Sequence, residues 1–159
     1  MSQHLDIAPA RVEQAVDALV DKLSANSTLE SMLGDEGTAG VWARELPVNG
    51  PTGQDVRIRV IRPARGEPTA WESGNRREHF QIMAETKRVA TDDNPHLRLE
   101  LVQIQIWEVL KQASMELTGV NQWLPIYRVS EPSSVMWDDD KKVYFNTSTY
   151  GSVFRRIAA

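Results

Sequence analysis

The chain contains no cysteine. That removes disulfide frameworks and thiolate metal sites together, and makes a reducing compartment the default expectation. No apolar run approaches the roughly 20 residues that cross a bilayer. The opening residues, MSQHLDIAPAR, lack the apolar centre of a secretion signal, so an origin in the cytosol with no membrane anchoring is expected. Histidine is scarce, and His4, His79 and His96 are scattered without the i,i+3 or i,i+4 spacing that brings two ligands onto one helix face. No Gly-x-Ser-x-Gly elbow presents a nucleophile, and carboxylate pairs such as Asp35 with Glu36, or Glu100 with Glu108, are ordinary surface features. An excess of positive charge is also missing. A net charge of −4 argues against a dedicated nucleic-acid binder while leaving room for local basic patches. Together these absences predict a protein that is not an enzyme and needs neither metal nor cofactor.

What is present suffices for one folded unit. A chain of 159 residues buries about 70% of its unfolded surface, so residues 1–159 are expected to form a single domain. After Asp6 and Pro9, Val12, Ala15, Val16, Leu19, Val20 and Leu23 share one face of a helix whose other face is charged. Ser27 with Glu30 fits a capping box for a short second turn through Met32 and Leu33, ended by Gly34. The glycines of GDEGTAG follow a helix rather than a strand and precede no Gly-Lys-Ser/Thr, which excludes a phosphate loop.

Val41 to Arg44 predict a short strand. Val56, Ile58 and Val60, alternating with Arg57 and Arg59, predict a second that ends at Pro63. The stretch from Pro63 to Arg77, PARGEPTAWESGNRR, sustains no period and reads as a long loop. From His79 to Arg88, Phe80, Ile82 and Ala84 stand opposite Gln81, Met83 and Glu85 as a third strand. The turn cluster VATDDNPH then suggests a hairpin to the next element. At the other end, Val135 to Trp137 and Val143 to Ser148 flank Asp138-Asp139-Asp140-Lys141-Lys142. That run is a hairpin turn by composition and lacks the spaced oxygens and glycine of a calcium loop.

The longest apolar-patterned run is LRLELVQIQIWEVLKQASMELTG, from Leu97 to Gly119. Val102, Ile104 and Ile106 alternate with Gln103 and Gln105, the period of a strand buried on one face. From Trp107, Val109, Leu110, Ala113 and Leu117 follow helical spacing toward a Gly119 cap. Strand then helix is the reading we favour. The rival takes Asn94 as N-cap and Pro95 as first residue of one helix to Thr118. Leu99, Val102, Ile106, Leu110, Ala113 and Leu117 would then form one stripe and Leu97, Leu101, Ile104 and Met115 an opposed one, so the helix would need cover on both sides. Either way the class is α+β: a mostly antiparallel sheet of about four to five strands with an N-terminal helix and a second helix packed on it.

Candidate contact residues follow from the same patterns. Arg57 and Arg59 share a strand face, which is either solvated and ion-paired or a basic strip for a polyanion or a partner. Trp71 lies in the long loop without local apolar company, which suits a partner surface, and Arg76 and Arg77 close that loop.

The order of elements resembles the tail terminator or tail completion proteins of long-tailed bacteriophages. The carriers are VEQAVDALVDKLSANSTLESMLG, the run LVQIQIW leading straight into EVLKQASMEL, and the closing strand from Tyr144 to Arg155. The resemblance implies a virion protein, made in the host cytoplasm, that forms a ring, usually a homo-hexamer. The ring would cap the tube of the major tail protein and dock to the head–tail connector, with DNA passing through its lumen without specific binding. Alternatives are another neck or connector protein, a small-molecule-binding α+β module, or an enzyme whose site no motif reveals.

Overall fold

Alternating side chains over Asn75–Thr86 and Val143–Arg156 build the two long strands of the fold, β4 and β8 in chain order. They pair antiparallel along the whole of β4, from Asn75 opposite Arg155 to Thr86 opposite Tyr144. The computed structural model describes residues 9–63, 67–68, 75–111, 113–115, 117, 120–122 and 125–156. On the free edge of β4 lie β2 (Val56–Ile61) and β3 (Glu67–Pro68), and β1 (Val41–Ala43) adds to β2 in parallel. The free edge of β8 carries β7 (Met136–Asp138), β6 (Tyr127–Ser130) and β5 (Val120–Gln122), each antiparallel to it. The class is α+β, with a mixed but mostly antiparallel sheet whose continuous path runs β1-β2-β4-β8-β5.

One face of this sheet is apolar because period two puts Ile58 opposite Ala84 and Val60 opposite Ile82, with Val56 and Phe80 on the same side, all fully buried. Helices α1 (Pro9–Ser24) and α3 (Pro95–Leu110) cover that face, with the short α2 (Ser27–Met32) against both. Ala15, Val16, Leu19 and Leu23 of α1 meet Leu99, Val102, Ile106 and Leu110 of α3 in one core. Asn26, rather than Ser27, caps α2: its side chain accepts the Leu29 N–H at 2.8 Å. Gly34 follows at φ +86°, beyond what a Cβ tolerates, and the Asp55 carboxylate sits where that Cβ would stand.

Three expectations are corrected. Residues 101–106 are helix, not strand, and the turn after β4 leads into α3 rather than into a hairpin partner. Asn94 accepts the Leu97 N–H at 3.1 Å and Pro95 occupies the first turn, so the cap decides what the side chains left ambiguous. The helix also stops at Leu110 instead of running to Gly119, which lies outside the described residues; Lys111 has already left helical geometry at ψ 124°. Finally, the long loop is shorter than 63–77. β4 begins at Asn75 because Arg76 and Arg77 pair with Phe154 and Val153 on one side and with β3 on the other.

Gln103, read as a polar strand position, is fully buried. Its amide donates to Asn146 Oδ1 (3.2 Å) and to the Ile82 carbonyl (3.3 Å), and its Oε1 accepts from Ser148 Oγ (2.7 Å). These bonds fix where α3 sits across β4 and β8, since a buried amide with lost partners would be costly. Further along the helix Trp107 stacks on Tyr150 at 5.9 Å and Arg128 of β6 lies over Trp107 at 4.7 Å. β6 closes against β8 at Gly151, where the Tyr127 ring occupies the space a Cβ would need.

Between β4 and α3, Arg98 donates to Asp93 at 2.6 and 3.1 Å and to the Lys87 carbonyl at 2.7 Å. The Arg98 guanidinium, helped by the Val89 N–H, holds the Asp93 carboxyl down to about 2. Because that lies below the ordinary 3.8, the contribution is complete above about pH 5 and fades as the pH falls from about 4 toward 2. Asp93→Asn is expected to lose about 1 kcal/mol near neutral pH, allowing for solvent screening. It should also flatten the acid limb of the stability profile, read by urea unfolding at a series of pH values.

The helical register of α3 has a direct check. Ile106→Ala should destabilise by about 3 kcal/mol through a core cavity. Ile104→Ala, two residues away, should stay within about 0.5 kcal/mol. Comparable losses at both positions would restore the strand reading.

Candidate interaction surface

Among the described residues no helix lies over the second face of the sheet. Odd-numbered residues of β2 and β4 point there, and Trp42 of β1, in register with Arg59, joins them. Arg57 and Arg59 do share this face, yet their surroundings differ. Arg57 is buried and bidentate on Glu36, Nε to Oε2 at 3.0 Å and Nη2 to Oε1 at 2.8 Å, with Nη1 donating to the Asn49 carbonyl. The hydrogen bond from Arg57 holds the Glu36 carboxyl below its usual range against the effect of burial. This residue clamps the turn at Gly37–Gly40 and the following loop onto β2.

Arg59 is half-buried and forms no ion pair among the described residues; its Nε is buried without an acceptor. It lines a cleft of about 340 Å³ with Met83, Phe145, Glu85 and Lys141, the last two bound to each other at 2.8 Å. The remaining predicted residues scatter. Arg76 is buried on the helix-covered face, 3.8 Å from Glu78, which also faces Arg62 at 3.6 Å. Arg77 is exposed on the same open face as Arg59. Trp71 lies outside the described residues. The structure therefore brings Arg59 and Arg77 to one open face and commits Arg57 and Arg76 to internal ion pairs.

Two surfaces lie outside the predicted contact residues. The first is the outward side of α3, where the second apolar stripe, Leu97, Leu101 and Ile104, is left uncovered at 49%, 46% and 56% exposure. The wheel signalled it, and only the choice of strand concealed it. The second is an open cleft of about 550 Å³ between the β4–α3 turn and the β7–β8 hairpin, lined by Lys87, Arg88, Val89, Trp137 and Tyr144. Tyr144 is central to it. Its ring lies 4.7 Å from Trp137 and 5.2 Å from His96, with the Arg88 guanidinium 5.5 Å from its centroid. The hairpin turn beside it is closed by Asp138, whose carboxylate accepts the Asp140 and Lys141 N–H groups at 3.0 Å each, and by Lys142 at φ 60°.

Chemically these are contact surfaces. Both clefts open to solvent, and no group of His, Asp and Glu side chains among the described residues is arranged to hold a metal ion. Among the described residues no helix is long and apolar enough to cross a membrane. Exposed aliphatic and aromatic side chains beside unpaired cations are the material of protein interfaces.

No family model matches the chain, and no curated protein matches it by sequence. Among solved structures, a chain from the virion of a native gene transfer agent particle superposes with a TM-score of 0.68. It is 13% identical and is matched over 93% of this chain and 99% of its own. A second solved chain reaches a TM-score of 0.53 at 14% identity, over 92% of this chain and 97% of its own. At such identities the likeness is one of fold, and it extends from end to end: this α+β arrangement is also that of a chain in a phage-like virion particle.

Proposed function

We propose that the chain is a structural component of a phage-like virion, and that within it the protein forms the ring that ends the tail tube and joins it to the head connector. The observation that carries the virion role is the end-to-end likeness to a chain of the gene transfer agent virion. The tail-terminating role rests on the resemblance of the element order and is supported by the surfaces just described. Apolar side chains left exposed on α3 and on the β7–β8 hairpin suit a protomer that completes its burial by assembly.

The mechanism is steric. A homo-hexameric ring presents one face complementary to the last layer of the major tail tube protein and offers no site to the next tube subunit. Its other face receives the connector. The mild negative charge of the chain suits a lumen through which DNA slides without sticking. Action is by assembly rather than by catalysis, and the place of action is the virion neck. Another neck or connector protein would share the ring and differ in which tube or connector surface it meets.

Particles produced without this chain separate these readings. Heads should fill normally, while tails grow beyond their set length and fail to join, as seen by negative-stain microscopy; adding purified protein should restore joining. Tails of normal length that fail only to join would favour a different neck protein. Complete particles without the chain would overturn the proposal.

A further inference from the structure

Two patches have no partner among the described residues, and they are opposite in character. On α3, Leu97, Leu101 and Ile104 stand on the side directly away from the buried Leu99, Val102 and Ile106. Glu100, exposed beside them, makes no ion pair among the described residues. In the cleft at the start of β8, Trp137 is 48% exposed and Val89 lies open beside it. There Lys87 and Arg88 have no carboxylate partner among the described residues, whereas Lys142 is held by Asp139 at 2.8 Å. One patch is therefore apolar with an unpaired acid, and the other aromatic with unpaired bases.

We infer that these patches are the two halves of one contact between copies of this chain, with the outward face of α3 on one protomer seated on the Trp137 cleft of the next and Glu100 opposite Arg88. The inference rests on the ring reading and specifies the surfaces that build the ring. A second copy is the occupant that accounts for both patches at once. Nucleic acid would suit the cations and Trp137 but would leave three aliphatic side chains bare and would be repelled by Glu100. A second copy brings the matching sign and the matching apolar area together.

The contact joins unlike patches, so it is heterologous, and it propagates until a rotation closes it into a ring. The stripe faces away from the sheet on its helix side, while the cleft lies where β4 leaves the sheet, so successive copies are turned relative to one another. A handful of half-exposed side chains covers only part of the about 800 Å² that each partner gives to a stable interface. Single contacts are accordingly weak, and association depends on concentration and on closure.

Sedimentation velocity across a concentration series, at low and high salt, tests this on the full chain. The wild type should associate, less so in high salt. Arg88→Glu and Glu100→Arg should each weaken association at least tenfold while circular dichroism shows both folded. An equimolar mixture of the two variants, and the double variant, should associate again, because every contact then meets an opposite charge. Single variants that associate like the wild type would overturn the assignment, as would a mixture that fails to recover. So would a DNA duplex bound by the wild type and released by Arg88→Glu in the absence of self-association. A wild type that stays monomeric throughout would overturn it too, while the tail reading would still stand or fall on particle assembly.

Discussion

The fold depends on one ladder, β4 against β8, whose two strands lie far apart in sequence and must find a single register. A slip of one residue would exchange Asn146 and Ser148 for Phe145 and Thr147 on the core side. Gln103 makes that slip costly, since it reads Asn146, Ser148 and the Ile82 carbonyl together and has no alternative partners within the apolar layer. A fully apolar layer would bury more hydrocarbon, but it would leave register to packing alone. All the other strands except β1 then dock on an edge of the pair, and the helices dock on one of its faces.

Charge does a second kind of work. Arg44 reaches Glu13 and Asp17, fastening the end of β1 to α1; Arg57 fastens β2 to Glu36; Lys141 fastens the hairpin to Glu85; Arg98 holds the turn before its own helix. Each pair ties one segment to another, and partial burial keeps several of them from being screened as surface pairs are. Against this background the cations with no carboxylate among the described residues stand out. Arg59 sits beside half-buried Met83 and Phe145 on the open sheet face, and Arg88 beside Tyr144 and exposed Trp137 in the Tyr144 cleft.

Much of this was legible locally. The face of α1, the strand at Val56–Ile61 and the β7–β8 hairpin each announce themselves within a dozen residues, by period or by turn chemistry. α3 did not, because a helix with two apolar stripes places Val102, Ile104 and Ile106 at alternate positions just as a strand does. The period of two there is the sum of a buried stripe at 102 and 106 and an exposed residue at 104. The better signal was Asn94-Pro95, a cap that a strand has no use for. Contacts between distant segments left no local trace: Arg57 and Arg59 look alike until Glu36 is brought to one of them, and β3 and β5 are too short to carry a pattern. Trp137 was legible as a strand residue but not as the wall of a cleft, since its neighbours arrive from the turn after β4.

The ambiguity of α3 has a physical origin that bears on function. A helix that only had to pack on the sheet would be polar outside, and its sequence would have one reading. Leucine and isoleucine on the outward side contribute nothing to the protomer, lower its solubility and blur the pattern that specifies it. Such residues persist without folding value only where some other requirement holds them. Under the role proposed above, cover from another chain is one such requirement. One helix thus divides its sides, the inner stripe and Gln103 fixing the sheet and the outer stripe left half-exposed.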